Sequence, residues 1–120
     1  MNSFGATGEL VAAHHVEKLG WTIIDRNWRC ELGEVDLVAV DPVTMPWPTT
    51  VVIEVKSRAG VGYGHPLEAI THEKLARLRR LAVQWRQAHP DSPRALRVDA
   101  IGVIKRRGYA PLIDHRRNIS

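Results

Sequence analysis

The stretch from residue 34 to residue 58 decides the fold. It reads Glu34-Val-Asp36-Leu-Val-Ala-Val40, then a proline-rich segment, then Thr50-Val-Val-Ile-Glu54-Val-Lys56-Ser-Arg58. Both flanks are apolar and rich in β-branched residues, which predicts two β-strands. Because side chains alternate between the two faces of a strand, Glu54, Lys56 and Arg58 share one face. If the two strands pair as a hairpin, Asp36 lies beside Glu54, and two carboxylates and a lysine meet at one end of an apolar sheet.

The rest of the chain alternates between helical and extended patterns. Thr7 is a suitable N-cap for a helix over residues 8–18, which Gly20 ends. Thr71 caps a longer helix that stops before Pro90. Extended patterns cover residues 21–28, 34–40, 50–57, 96–104 and 109–114, and residues 115–120 read as a tail. The order α-β-β-β-α-β-β predicts a single domain over residues 1–120, an α/β fold with a mixed sheet flanked by helices, whose first three strands form an antiparallel meander.

Composition narrows the class of protein. The 120 residues are 44% hydrophobic and 25% charged, which is typical of a globular domain with a core. No apolar run approaches the ~20 residues that a membrane helix needs, and no secretory leader is apparent. The single cysteine, Cys30, excludes an internal disulfide. We therefore expect a cytoplasmic protein without a membrane segment. Its net charge of +4 favours polyanionic partners, with nucleic acid first among them.

Glu9 is a carboxylate on the apolar side of the first predicted helix. It lies three residues before Ala12 on the stripe that continues through Val16 and Leu19. Two interpretations stay open from the spacing alone. Glu9 either complements the dipole of the first helical turn or faces a functional site on the sheet.

The central residues match a known nuclease pattern. Asp36 with Glu54-Val-Lys56 resembles the Asp…(Asp/Glu)-x-Lys arrangement of the PD-(D/E)XK nuclease superfamily. Carboxylate oxygens suit Mg²⁺ or Mn²⁺, and Mg²⁺ is often held by one or two carboxylates plus substrate phosphate. Such a metal lowers the pKa of a bound water and stabilises charge on the phosphoryl group. Lys56 can position that water, and the backbone carbonyl of Val55 can complete the metal site.

Further motifs extend the resemblance over nearly the whole chain. In order, they are Gly8-Glu9, Arg26-Asn27-Trp-Arg29, Gly33-Glu-Val-Asp36-Leu-Val, Val52-Ile-Glu54-Val-Lys56-Ser-Arg58, Ala69-Ile with Lys74-Leu, and Arg97-Val-Asp99. Together they resemble the bacterial YraN-like family, UPF0102, which is similar to a minimal restriction-endonuclease-like nuclease and to archaeal Holliday junction resolvases. The resemblance implies that Glu9 joins Asp36 and Glu54 at the metal, that DNA, including branched or junction DNA, is the substrate, and that the protein forms a homodimer.

Several basic and aromatic residues are candidates for nucleic-acid contact. Lys74, Arg77 and Arg80, with Arg86, make the second predicted helix the most basic surface of the chain. Arg58 continues the strand face of Glu54 and Lys56. Trp47 and Tyr63 are candidates for stacking on bases. A solvated helix face would carry the same arginines, so charge alone does not decide.

Two other functions are compatible with the same residues. The chain could be a nucleic-acid-binding module without catalysis, or a protein-interaction domain of a repair or DNA-uptake complex. Convergence of the carboxylates within reach of one cation favours the nuclease, whereas a buried salt bridge that closes the site favours the other two.

Overall fold

The computed structural model describes residues 3–43, 47–60, 62 and 64–119. The element order is α-β-β-β-α-β-β, with a short 3₁₀ helix before the second α-helix, and the predicted α/β class is confirmed. The elements are α1 (Ser3–Lys18), β1 (Thr22–Cys30), β2 (Gly33–Asp41), β3 (Thr49–Arg58), the 3₁₀ helix (Pro66–Ala69), α2 (His72–Ala88), β4 (Ala95–Arg106) and β5 (Tyr109–Arg116).

The strands form one sheet in sequence order, β1-β2-β3-β4-β5. The first three pair antiparallel, so the predicted meander is confirmed. Strands β3 and β4 are parallel, and α2 provides the crossover that a parallel pair requires. The last strand, β5, pairs antiparallel with β4 and lies at the edge, where Pro111 is tolerated.

The two α-helices cover opposite faces of the sheet. Ala12, Ala13 and Val16 of α1 pack on a cluster that includes Leu37 and Ile53. On the other face, the cluster contains Leu78, Leu81 and Trp85 of α2 with Val38, Val52 and Val98. Burial on both faces explains why β2 and β3 read as nearly continuous apolar runs. Since Val52 faces α2, the alternation of β3 places Glu54 and Lys56 on the α2 face as well.

The first helix differs from its prediction at both ends. It begins at Ser3, so Thr7 lies inside the helix and does not cap it. Serine and threonine are only mildly unfavourable inside helices, and no proline between Ser3 and Gly8 stops the helix from extending. At the other end the helix stops at Lys18, and Gly20 adopts a φ of +90°. Leu19 therefore leaves the apolar stripe and is 40% exposed.

The predicted C-terminal tail was wrong. Strand β5 runs to Arg116, and the imidazole Nε2 of His115 lies 2.8 Å from the buried carboxylate of Asp99. The amide of Ile119 then donates to the Val98 carbonyl at 2.9 Å. The residues that hold this segment are more than fifteen positions away in the chain, so its local sequence gave no sign of them.

One further prediction is confirmed, and two others concern residues that the structure does not describe. Thr71 caps α2 as predicted, accepting a hydrogen bond from the Lys74 amide. Tyr63 lies outside the described residues, as do positions 44–46 of the proline-rich segment. Within the described part of the chain, neither helix combines the length and the apolarity that crossing a bilayer requires.

Candidate active site at a fork between two strands

Strands β2 and β3 separate at the centre of the sheet. Their backbone pairing ends at Leu37 and Ile53, whereas β3 stays paired with β4 as far as Arg58. Just beyond the last pair, the Val55 amide donates a hydrogen bond to Oδ2 of Asp36 at 2.8 Å. A side chain thus replaces the missing backbone partner. Because the N–H and C=O of one strand residue point to the same side, the Val55 carbonyl also faces this fork.

Asp36 and Glu54 are hydrogen-bonded to each other in the fork. Burial, the hydrogen bond with Asp36 and the Asp36 charge together raise the pKa of Glu54 to about 8, while Lys56 and Arg77 oppose the rise. Two carboxylates in contact cannot both ionise cheaply away from water. With its pKa raised to about 8, Glu54 holds a proton at neutral pH in the absence of another cation.

Lys56 lies on the same face and reaches towards the pair. Its Nζ is 3.8 Å from Oε1 of Glu54, and 31% of the lysine side chain remains exposed. This distance is at the long end for an ion pair, and the ammonium keeps access to solvent. The contact therefore does not seal the fork, and Lys56 can approach a molecule bound there.

Glu9 is brought towards the fork by a close approach of α1 to β3. Gly8 is buried against Ser57, and a Cβ at position 8 would collide with the Ser57 hydroxyl. Burial first, and then the charges of Asp36 and Glu34, raise the pKa of Glu9, whereas Arg26 lowers it. The electrostatic influence of Asp36 shows that the Glu9 carboxylate belongs to the same acidic neighbourhood.

Asn27 holds Glu9 in place, and sequence reasoning missed this role. With its amide nitrogen turned to the carboxylates, as the hydrogen-bond pattern requires, Asn27 donates to Glu9 Oε1 and Glu34 Oε1 at 2.9 Å each. Its φ of 53° is a left-handed conformation that asparagine adopts more readily than most residues. An asparagine inside the predicted strand β1 was the only signal of this irregularity.

The donor set at the fork fits a hard divalent cation. Among the described residues, no group of three or more histidine, cysteine, aspartate or glutamate side chains is close enough to bind a metal by itself. A Mg²⁺ site needs less, because that ion keeps several waters and often takes only one or two carboxylates. Asp36 and Glu54 supply these, and a cation between them would relieve the repulsion that raises the pKa of Glu54. The Val55 carbonyl is a further oxygen facing the fork, and Glu9 adds negative charge.

The predicted nucleic-acid contacts separate into two groups. Arg77 of α2 lies near enough to the fork to lower the pKa of Glu54, and Arg58 follows Lys56 on the same strand face. Lys74 lies one helical turn before Arg77 and is half-buried. Arg80 is elsewhere, beside a shallow groove that Leu32 of the β1–β2 turn also lines. Arg77 and Arg58 are therefore nearer to the fork than Arg80.

The tryptophans differ in their exposure to solvent. Trp21 and Trp85 are buried in the core and are not available for stacking. Trp47 is 68% exposed beside Pro48, Pro93 and Arg94, where the strands β3 and β4 begin.

Asp99 is fully buried on the α1 face and takes part in a structural network rather than in the fork.

Comparison with known proteins gives the family. The model of the "Uncharacterised protein family UPF0102" matches residues 8–103. The chain belongs to the UPF0102 family. A UPF0102 protein of Clavibacter michiganensis subsp. michiganensis is 50% identical over 110 residues, covering 92% of this chain and 89% of that protein. One from Leifsonia xyli subsp. xyli is 49% identical over 114 residues, covering 95% and 92%. One from Beutenbergia cavernae is 43% identical over 118 residues, covering 98% and 96%.

The residues that the UPF0102 family model matches include the whole candidate site. It begins at Gly8, where α1 contacts β3, and it ends at Val103 in β4. The matched range thus contains Glu9, the fork and all of α2. The relatives extend the similarity across nearly the full chain, including β5.

Proposed function

We propose that this UPF0102 protein is a metal-dependent endonuclease that hydrolyses phosphodiester bonds in DNA. The observation that carries the proposal is the fork, where the carboxyl groups of Asp36 and Glu54 meet and the Lys56 ammonium lies 3.8 Å from Glu54. A buried pair of carboxylates is costly unless it has a compensating cation. Mg²⁺ or Mn²⁺ is the cation that this oxygen set suits.

Each residue of the fork would have its own role in the reaction. When bound, the metal would supply Lewis acidity to the phosphodiester and an activated water. Asp36, Glu54 and the Val55 carbonyl would hold it, with Glu9 contributing charge or a hydrogen bond to water. Lys56 is free to orient the attacking water or to stabilise the charge that develops on the phosphoryl oxygens. Arg77, which lies on α2 on the same face of the sheet, would contact a neighbouring phosphate.

DNA is the proposed substrate because of charge and resemblance together. The net charge of +4 and the arginines of α2 favour a polyanion. The similarity to junction resolvases favours branched DNA and a homodimer, since a two-fold axis would present two forks to a symmetric junction. We place this reaction in the cytoplasm.

A second candidate function has one observation in its favour. The Glu54–Lys56 contact and the raised pKa of Glu54 already reduce the negative charge of the fork without any metal. A binding module without catalysis, or an interaction domain of a repair or DNA-uptake complex, would be consistent with that. It would bind its partner equally well with or without a divalent ion.

The decisive experiment is a cleavage panel. Labelled linear, flapped and four-way DNA, with matched RNA strands, is incubated with Mg²⁺, with Mn²⁺ or with EDTA. We expect metal-dependent cleavage that Asp36→Asn abolishes, and light scattering on the four-way complex should give two copies per junction. Metal-independent binding without cleavage of any substrate would support the binding module instead.

A further inference from the structure

A small recess opens beside the fork on the α2 face of the sheet. The register pairs Glu54 with Ala100 on β4 and Ala100 with Arg116 on β5, so the three residues form one row across three strands. Paired residues of neighbouring strands lie on the same face about 4.8 Å apart. The small side chain of Ala100 leaves space between the acidic pair and Arg116.

The recess has a volume of about 180 Å³ and an aliphatic lining. Its walls are Leu67 and Ile70 at the 3₁₀ helix, Leu75 of α2, Ala100, Ile119 and Arg116. At about 30 Å³ per water, it has room for roughly six waters. The aliphatic walls suit a flat heterocycle, and the guanidinium among the lining residues suits a phosphate attached to it.

Arg116 is held at the recess by a short chain of contacts. Its guanidinium donates to Oδ2 of Asp114 at 3.0 and 3.3 Å. The same oxygen lies 2.8 Å from Nε2 of His65. His65 in turn accepts the Leu67 amide and so caps the 3₁₀ helix that forms one wall. Gly102 beneath it leaves room for Pro66 and Leu67, because a Cβ there would lie about 3.0 Å from Pro66.

We propose that this recess receives a single unpaired nucleobase next to the scissile phosphate, with Arg116 binding the phosphate of that nucleotide. The inference rests on the proposed nuclease function and names its substrate class, which is DNA with an unpaired nucleotide at the cleavage point. The aliphatic walls cover the faces of the base, and the row from Glu54 to Arg116 places the base one strand away from the acidic pair.

The free-energy cost of extruding a base makes such a recess selective for distorted DNA. Extruding a paired base costs a few kcal/mol, and the cost is smallest for a base that is already unpaired. A recess that accepts one base therefore selects bulges, flaps and junctions over intact duplex. No contact with base edges is required, so the preference is for structure and not for sequence.

The test compares two duplexes with equal charge. One carries a single-nucleotide bulge with a base, and the other carries an abasic bulge at the same position. Affinities are measured in EDTA, and a 2-aminopurine in the bulge reports the surroundings of the base. We expect about tenfold tighter binding of the base-containing bulge, equivalent to ~1.4 kcal/mol. We also expect brighter 2-aminopurine fluorescence, because none of the described residues that line the recess has an aromatic side chain to quench it.

Four variants make the test specific. Ile70→Trp should fill the recess and reduce the difference between the two bulges to within about twofold, whereas Ile70→Val should keep it. Arg116→Ala should weaken binding of both bulges several-fold more than Arg107→Ala, which removes the same charge from the exposed β4–β5 turn. The two arginine variants remain informative if the tryptophan variant does not fold.

The outcomes separate this inference from the nuclease proposal. Equal affinity of the wild type for both bulges would overturn the recess, even if the protein cleaves DNA. A preference for the base-containing bulge without cleavage in Mg²⁺ or Mn²⁺ would retain the recess and overturn the nuclease. A wild type that binds neither duplex would overturn both.

Discussion

The Val55 amide donates its hydrogen bond to the Asp36 carboxylate, 2.8 Å away, and not to a backbone carbonyl of β2. This contact is possible because the β2–β3 pairing ends at Leu37 and Ile53. Asp36 thereby has two roles, since it satisfies the amide of β3 and meets Glu54 in the fork. Substitutions at position 36 can separate the two roles.

Asp36→Asn should remove metal binding while keeping the fold. The asparagine oxygen can still accept the Val55 amide, but the negative charge is lost. In the wild type, Mn²⁺ should raise the melting temperature, because a ligand that binds only the folded state stabilises it. An equal rise in Asp36→Asn would contradict a metal site at this position.

Asp36→Ala should differ from Asp36→Asn in the absence of metal. Alanine leaves the Val55 amide without its acceptor, which costs about 1–3 kcal/mol. Urea unfolding in EDTA should therefore show the alanine variant to be less stable than the asparagine variant. Equal stability of the two would show that water satisfies the amide and that the contact is not structural.

The pKa of Glu54 predicts how stability depends on pH. Burial and Asp36 raise this pKa from 4.5 to about 8, so between those values the folded protein binds more protons than the unfolded chain. The contribution of Glu54 to folding stability is therefore largest at low pH and falls by up to about 1.4 kcal/mol per unit as pH rises towards 8. Urea unfolding in EDTA between about pH 6 and about pH 8 should show this fall relative to Glu54→Gln, which cannot titrate. Parallel curves for the two proteins would contradict the raised pKa of Glu54.

Asp99 predicts a stability effect far from the fork. Burial opposes its charge, but hydrogen bonds from His115, Arg97 and the Asn118 amide hold the pKa of Asp99 below its usual range. Asp99→Asn should cost about 3–5 kcal/mol, the scale for breaking a buried charged pair. Asp91→Asn on the exposed loop should stay within about 0.5 kcal/mol of wild type. Urea unfolding of both variants measures the difference, and similar stabilities would show that the network adds little.

Arg77 and Arg80 should contribute unequally to DNA binding. Arg77 lies near the fork, whereas Arg80 lines a groove on the side of the β1–β2 turn. Replacing both with alanine should weaken binding and reduce the salt slope by about one for each phosphate that the variant no longer neutralises. We expect Arg77→Ala to account for most of the effect, with Arg107→Ala as the charge control. Salt-insensitive binding of the wild type would favour the interaction-domain function.

The sequence predicted the fold through signals that are local. Alternating and continuous apolar patterns located every strand, and Thr71 with Pro90 bounded α2. The charges inside β2 and β3 also marked the fork, because Asp36 and Glu54 are anomalous in strands that are buried on both faces. A hairpin register then sufficed to bring them together.

The remaining features depend on contacts that local patterns do not encode. Gly8 and Ser57 are forty-nine positions apart, so the approach of α1 to β3 was not visible in either segment. The recess depends on the registers that align Ala100 with both Glu54 and Arg116. His115 looked like part of a tail because its partner, Asp99, lies in another strand. Each of these required the tertiary structure.

Lys56 tests the central claim most directly, because catalysis and structure predict different effects of its removal. A catalytic lysine acts mainly on the transition state, so Lys56→Ala should keep its DNA affinity and its melting temperature close to wild type. If the lysine instead only neutralises Asp36 and Glu54, the variant should mainly lose stability.

The measurement is single-turnover cleavage of a flapped or four-way DNA by wild type and Lys56→Ala, with Mg²⁺ and with Mn²⁺. DNA affinity and melting temperature are measured on the same preparations. We predict that wild type cleaves and that the variant binds DNA normally but cleaves about 10² times more slowly or worse, the scale for losing one preorganised electrostatic group. A destabilised variant with an unchanged cleavage rate, or a wild type that cleaves nothing with either metal, would contradict the catalytic role of the fork.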